Sequence, residues 1–155
     1  MSFFNRGNGQ VAGAATGRGK YNLEYLKGGL AEGITSAVMM VDRNFVVTYV
    51  NQATKDLLTA HADEFRKLWP NFRPEAIVGS CIDMFHKNPS HQRQLLSDPS
   101  RLPYKTEITI GTLKVMLLVS GSFDKNGEYV GNVLEWKDVT QERLNEGLIA
   151  ALNKA

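Results

Sequence analysis

The chain has 155 residues, 43% of them apolar and 22% charged, with a formal net charge of +2. One domain of that size can bury a real core without disulfides or structural zinc. Lys and Arg are scattered among Asp and Glu, which leaves no electrostatic footprint for nucleic acid or an anionic membrane.

Cys81 is the single cysteine, so an intramolecular disulfide is excluded and a reducing compartment is expected. No apolar run approaches the length of a membrane span. The start, Met-Ser-Phe-Phe-Asn-Arg-Gly, lacks the apolar core of a signal peptide. The expected location is the cytoplasm.

Residues 1–20 carry glycines at 7, 9, 13, 17 and 19. They read as a flexible lead-in, because so little apolar surface cannot offset the entropy of ordering it. Phe3 and Phe4 are the exception and could dock locally. Over residues 21–35, Leu23, Leu26 and Leu30 recur at helical spacing with Tyr25 alongside, predicting a cap helix. Gly28 and Gly29 weaken it, so it needs a partner surface, either the domain's own sheet or a second copy.

Residues 36–138 form the expected central domain. Ala37 to Val41 and Phe45 to Val50 read as strands around an Asp42-Arg43-Asn44 turn. Asn51 is placed to cap a helix through Leu57 and Leu58. A charged stretch over 61–68, with His61 read as a solvated side chain, leads to the Trp69-Pro70 break. Gly79 marks another turn.

Next comes Ile82-Asp-Met-Phe-His-Lys-Asn-Pro-Ser-His-Gln-Arg93. Pro89 fixes its own φ and pushes Asn88 out of helical geometry, so the chain turns directly after His86. Ser90 is expected to cap a short helix carrying Leu95 and Leu96. A histidine pinned there suits a metal ligand, and equally a buried histidine bonded to backbone. Cys81, His86 and His91 stand at intervals of five and do not have the spacing of a zinc site.

The C-terminal half alternates as strands do. Tyr104, Thr106, Ile108 and Ile110 share one face, and so do Leu113, Val115, Leu117 and Val119. Asp124-Lys-Asn-Gly127 is a hairpin turn by composition. The last strand puts Val130, Asn132, Leu134 and Trp136 on one face. After it, residues 139–155 begin a helix capped by Asp138 or Thr140, with Leu144, Leu148, Ile149 and Leu152 as an apolar stripe still to be covered.

Two strands, several short helices and three antiparallel strands make an α+β layer with a hollow between sheet and helices. In that order of elements the chain resembles a PAS domain over roughly residues 22–140, and Asp138-Val-Thr140 looks like the usual exit into a signalling helix. Phe85-His-Lys-Asn-Pro-Ser-His-Gln-Arg93, Leu102-Pro103 and Glu135-Trp-Lys-Asp-Val-Thr140 narrow the likeness to chemoreceptor PAS domains. They resemble especially the heme-binding PAS domains of soluble aerotaxis-type, methyl-accepting chemotaxis proteins.

The resemblance implies a five-stranded antiparallel sheet with short helices on one face, and heme b held through His86. It implies oxygen, or another diatomic gas, as the ligand. Trp136 would stabilise that ligand, and Leu117 would line its side of the pocket. His91 and Tyr104 would approach the heme edge. Met84, Phe85, Ile108, Leu113 and Val115 would supply apolar lining, although ordinary core packing explains these equally. Asp138 and Thr140 would relay the signal to an output region beyond the chain, and the terminal helices would pair two copies as a homodimer.

The rival reading keeps the PAS fold without heme, as a site for another small molecule or flavin or as a dimerisation element. Cys81 lacks the Asn-Cys-Arg setting of light-sensing flavin domains. No Ser-His-Asp order, paired-carboxylate pattern or phosphate loop suggests an enzyme.

Overall fold

The computed structural model describes residues 33–154. The lead-in expected over 1–20 and nearly all of the cap helix expected over 21–35 lie outside the described residues.

Five strands, β1 (Ala37–Asp42), β2 (Val47–Val50), β3 (Tyr104–Ile110), β4 (Leu113–Phe123) and β5 (Tyr129–Asp138), form one sheet in the order β2-β1-β5-β4-β3. Every pairing is antiparallel. Between β2 and β3 come α1 (Gln52–Ala60), α2 (Ala62–Leu68) and α3 (Pro89–Ser97). Short 3-10 helices at Pro74–Ala76, Ile82–Phe85 and Pro99–Arg101 punctuate the same stretch, and α4 (Thr140–Leu152) follows β5.

Period-two patterning produces the sheet. Met39, Val41, Val115, Val119 and Leu134 turn inward and are buried against Leu58 of α1 and Phe65 of α2. The predicted hairpin forms over residues 124–127. Asp124 Oδ1 accepts from the amides of Asn126 at 2.8 Å and Glu128 at 2.9 Å, while Gly127 takes the positive φ of 81° that the turn requires.

Asn51 caps α1 as its chemistry suggests, and it does more. Its Oδ1 accepts from Thr54 N at 3.0 Å and from Val38 N at 2.9 Å, and its Nδ2 donates to Ser36 O at 2.9 Å. One fully buried amide thereby joins α1 to the start of β1.

The charged stretch forms α2 over Ala62–Leu68, with Phe65 and Ala62 on its buried side against the core. Two local expectations are corrected. Asn88, not Ser90, is the N-cap of α3, since Pro89 already occupies the first helical position and Asn88 Oδ1 receives the amide of His91. Val130 is 42% exposed instead of sharing the inward face of Asn132 and Leu134, because it sits beside the register shift at Ser122/Phe123.

α4 leaves the domain with its stripe uncovered: Leu144, Leu148, Ile149 and Leu152 are all exposed. Among the described residues, no helix is long and apolar enough to cross a membrane.

Candidate functional site

A cavity of about 560 Å³ lies between the inner face of β3, β4 and β5 and the helices that cross it. That is ample for a small organic ligand. The sheet contributes Thr106, Ile108, Leu117 and Trp136, and the helices contribute Leu58, Phe65 and Leu95. An aromatic wall closes one side: the Phe65 and Phe72 rings stack at 4.6 Å, and Trp69 meets Phe85 edge-on at 5.1 Å.

His86 enters from the C-terminal end of the 3-10 helix Ile82–Phe85 and lines the cavity. Its backbone is extended, with φ −119° and ψ 130°, and its amide donates to Asp83 O at 3.1 Å. The ring Nδ1 lies 2.7 Å from Ile82 O. A carbonyl only accepts, so Nδ1 carries the proton and, in the neutral ring, Nε2 keeps its lone pair. The backbone therefore sets both tautomer and ring orientation, as a metal-binding histidine requires.

The segment carrying His86 is tied to α3 as well. Arg93 Nε donates to Asp83 Oδ2 at 2.9 Å, and the guanidinium lies 4.8 Å from the centre of the Phe45 ring. The hydrogen bond from Arg93 holds the Asp83 carboxyl below the usual carboxylate range.

Trp136 stands on β5 directly opposite Leu117 of β4 and Ala37 of β1. It lines the cavity, and its Nε1 is buried with no hydrogen-bond partner among the described residues. Buried indole N–H groups normally find an acceptor. Trp136 borders both this cavity, which it shares with His86, and a smaller hollow of about 280 Å³ beside Lys137 and Asp138.

Met84, Phe85, Tyr104, Ile108 and Leu117 line the cavity, Met84 and Tyr104 at its exposed side. Leu113, Val115 and His91 do not. The alternating face of β4 runs on past the cavity, so Leu113 packs opposite Ile110 and Val115 is sealed in the core. His91 sits exposed in the first turn of α3, where Asn88 holds its amide, and it is not among the residues that line the cavity.

Asp138 and Thr140 come together at the exit of β5. Asp138 Oδ1 accepts from the amide of Thr140, the first residue of α4, at 2.9 Å. Thr140 Oγ1 accepts in turn from Lys114 N at 2.9 Å, and the Val139 amide donates to Lys114 O at 2.9 Å. The start of α4 is thereby fixed to the β3–β4 end of the sheet.

The sequence reading missed the helical side of the cavity: Leu58, Phe65, Trp69, Phe72 and Ile77. A signal was present, since residues 65, 69 and 72 carry aromatics at helical spacing. It also took His61 for a solvated side chain. Its Nε2 lies 3.4 Å from Asp138 Oδ2, in contact with the exit segment.

Among the described residues, no three His, Cys, Asp or Glu side chains gather as a metal site. A lone imidazole can hold a metal only if the metal brings its remaining ligands, as a porphyrin iron does. The clasped Nδ1, the orphaned indole and the apolar walls fit such a group.

No protein-family model matches the chain. Over 150 residues it is 31% identical to the methyl-accepting chemotaxis protein McpB of Pseudomonas aeruginosa, an alignment covering 97% of this chain and 22% of that protein. The chain thus spans about a fifth of that relative's length. A solved structure of the Aer2 receptor from Vibrio cholerae, described as a dual PAS-heme oxygen sensor, is 40% identical with a TM-score of 0.67. That match covers 70% of this chain and 98% of the other. A PAS domain from Colwellia psychrerythraea, 14% identical with a TM-score of 0.55 over 77% of this chain and 99% of its own, shares the fold alone. The sheet order, the helix-covered hollow and the Aer2 match agree, and this chain belongs to the PAS domains of chemotaxis receptors.

Proposed function

We propose that this PAS domain binds heme b through His86 and senses oxygen or another diatomic gas. The observation that carries the reading is the 2.7 Å contact from His86 Nδ1 to Ile82 O, which leaves Nε2 free in a cavity shared with an unpartnered indole donor. The Vibrio cholerae Aer2 match, itself described as a PAS-heme sensor, supports it.

Heme bound here would supply a ferrous iron able to take up a diatomic gas. The chain's residues do the rest. His86 gives its Nε2 lone pair while Ile82 O keeps the ring from turning. Leu117, Ile108 and Phe85 exclude water from a flat apolar guest, with Met84 at the exposed side. Trp136 Nε1 can only donate. It therefore favours a guest that gathers partial negative charge over a less polar one such as carbon monoxide.

A change in Trp136 reaches Asp138 two residues along β5, and from there Thr140 and α4. This is a shift between two packings, and its extent follows from how differently the gas binds them. On this reading α4 passes the signal to a chemotaxis output region in the cytoplasm. Its uncovered Leu144, Leu148, Ile149 and Leu152 suit pairing with a second copy.

The test is an absorption spectrum of the purified chain, before and after hemin is added. A Soret band is expected in the wild type and should be absent in His86→Ala, whose circular dichroism should stay close to wild type. A wild-type chain that is colourless and takes up no hemin would overturn the proposal.

A further inference from the structure

We propose that His61 is a positioning residue of the signal exit. It couples the helix layer over the cavity to the Asp138–Thr140 segment, as a second arm beside the one running along β5. The inference rests on the relay reading given above for Asp138 and Thr140.

His61 occupies the joint between α1 and α2. Its amide donates to Leu57 O at 3.1 Å, closing α1, and its carbonyl accepts from Glu64 N at 2.9 Å and Phe65 N at 3.2 Å, opening α2. The backbone that carries the ring therefore belongs to both helix ends. Leu58 and Phe65, on either side of that joint, both line the cavity. A ligand that displaces them shifts the backbone to which His61 is fixed.

At the other end of the contact, the two oxygens of Asp138 face two structures. Oδ2 lies 3.4 Å from His61 Nε2, and Oδ1 accepts the Thr140 amide at 2.9 Å. One carboxylate is thus shared between the helix layer and the first residue of α4. Rotation toward one partner loosens the other. Burial pushes the Asp138 carboxyl up, and the Thr140 bonds together with nearby His61 outweigh it and hold the group below its usual range.

A stabilising role is the bland alternative. The His61 and Asp138 side chains are 33% and 39% exposed, and ion pairs so open to solvent add little to stability. What the pair does supply is a connection that β5 does not. The strand reports on Trp136, while His61 reports on the helices that cover the same cavity.

The experiment uses this chain loaded with heme. Hydrogen exchange over residues 140–144 is compared under argon and in air-saturated buffer for wild type, His61→Ala, His61→Gln and Asp138→Asn. The Soret band and oxygen titration are recorded for each. In His61→Ala, heme should be retained and oxygen should still bind, its affinity changed by no more than the lost coupling, while most of the oxygen-dependent difference over 140–144 is lost. In heme-free protein the same variant should exchange the Thr140 amide faster. Adding His61→Ala to Asp138→Asn should produce no further loss.

A wild-type-like difference in both His61 variants, or fully additive losses in the double variant, would overturn the proposal. Absence of any difference in the wild type would instead overturn the relay reading, and this inference with it. His61→Gln keeps the joint polar and serves if the alanine variant folds poorly.

Discussion

Replacing Trp136 with phenylalanine separates the indole N–H from the ring that carries it. In the ligand-free protein, Nε1 is buried without a partner, an arrangement that costs about 1–3 kcal/mol. The substitution removes that cost. It also removes two or three ring atoms of apolar contact, at about 0.8 kcal/mol for each methylene equivalent. The two changes oppose one another, so urea unfolding of the ligand-free chain should shift by no more than about 1 kcal/mol. Truncation of a buried aromatic to alanine, which removes the whole ring, costs about 3–5 kcal/mol. The ligand-bound protein should respond differently. A hydrogen bond to an acceptor bearing charge contributes about 1.5–3 kcal/mol, so oxygen affinity should fall about tenfold to a hundredfold. Carbon monoxide affinity should change much less, since that guest offers a poorer acceptor. Gas titrations followed by absorbance measure both. An unchanged oxygen affinity, or a stability loss of the full aromatic size, would refute the reasoning, because Nε1 could not then be an idle donor awaiting its acceptor.

Asn51→Ala should cost about 3 kcal/mol in urea unfolding, roughly 1 from the lost helix cap and the remainder from buried β1 backbone groups left unpaired; a loss below about 1 kcal/mol would show that water replaces the amide. Gly111→Ala should destabilise by at least about 1 kcal/mol from its left-handed backbone. Its φ is 60°, and the new Cβ would collide with Glu64 Oε2, displacing the carboxylate that holds Thr112 N at 2.7 Å. Asp83 titrates below its usual range because Arg93 donates to it. A folded-state value depressed below the unfolded one gives stability that is present above about pH 4 and lost as pH falls from there. Asp83→Asn should therefore flatten the acid limb of the stability curve, and an unaltered limb would remove Asp83 from the account.

Strands and turns were legible in the sequence because their signals are local. Alternation set the inward faces of β3 and β4, and Asn126-Gly127 set the hairpin between β4 and β5. The position of His86 at a forced turn was legible for the same reason, since Pro89 acts on its own neighbours. What the sequence hid depends on tertiary contact. Nothing near His61 announces Asp138, which lies 77 residues away along the chain and meets it only once α1 has packed against the sheet at β1. Leu113 and Leu117 are equivalent by period, yet only the three-dimensional extent of the cavity separates a lining residue from a core one. The resemblance to heme-binding receptor domains supplied the role proposed for His86, and the carbonyl at Nδ1 is compatible with that proposal.

The register of β5 explains why a signal would leave the domain at this corner. β1 stays paired with β5 only as far as Ala37 opposite Trp136, whereas β4 remains paired to Val115 opposite Asp138. Up to Trp136 the strand is held from both sides and a displacement is shared across the sheet. Beyond it, Lys137 and Asp138 have a strand partner on one side, and on the other a hollow of about 280 Å³ bordered by Thr35, Ser36 and Leu57. Backbone paired on one edge yields more readily than backbone paired on two. A turn of Trp136 toward a ligand would therefore act on the first compliant residues after it, and those residues bear the carboxylate to which Thr140 is bonded. Trp136 and Asp138 lie about 7 Å apart along the strand, so the proposed relay needs no long pathway between them. It needs a rigid strand that ends its two-sided pairing where the cavity ends.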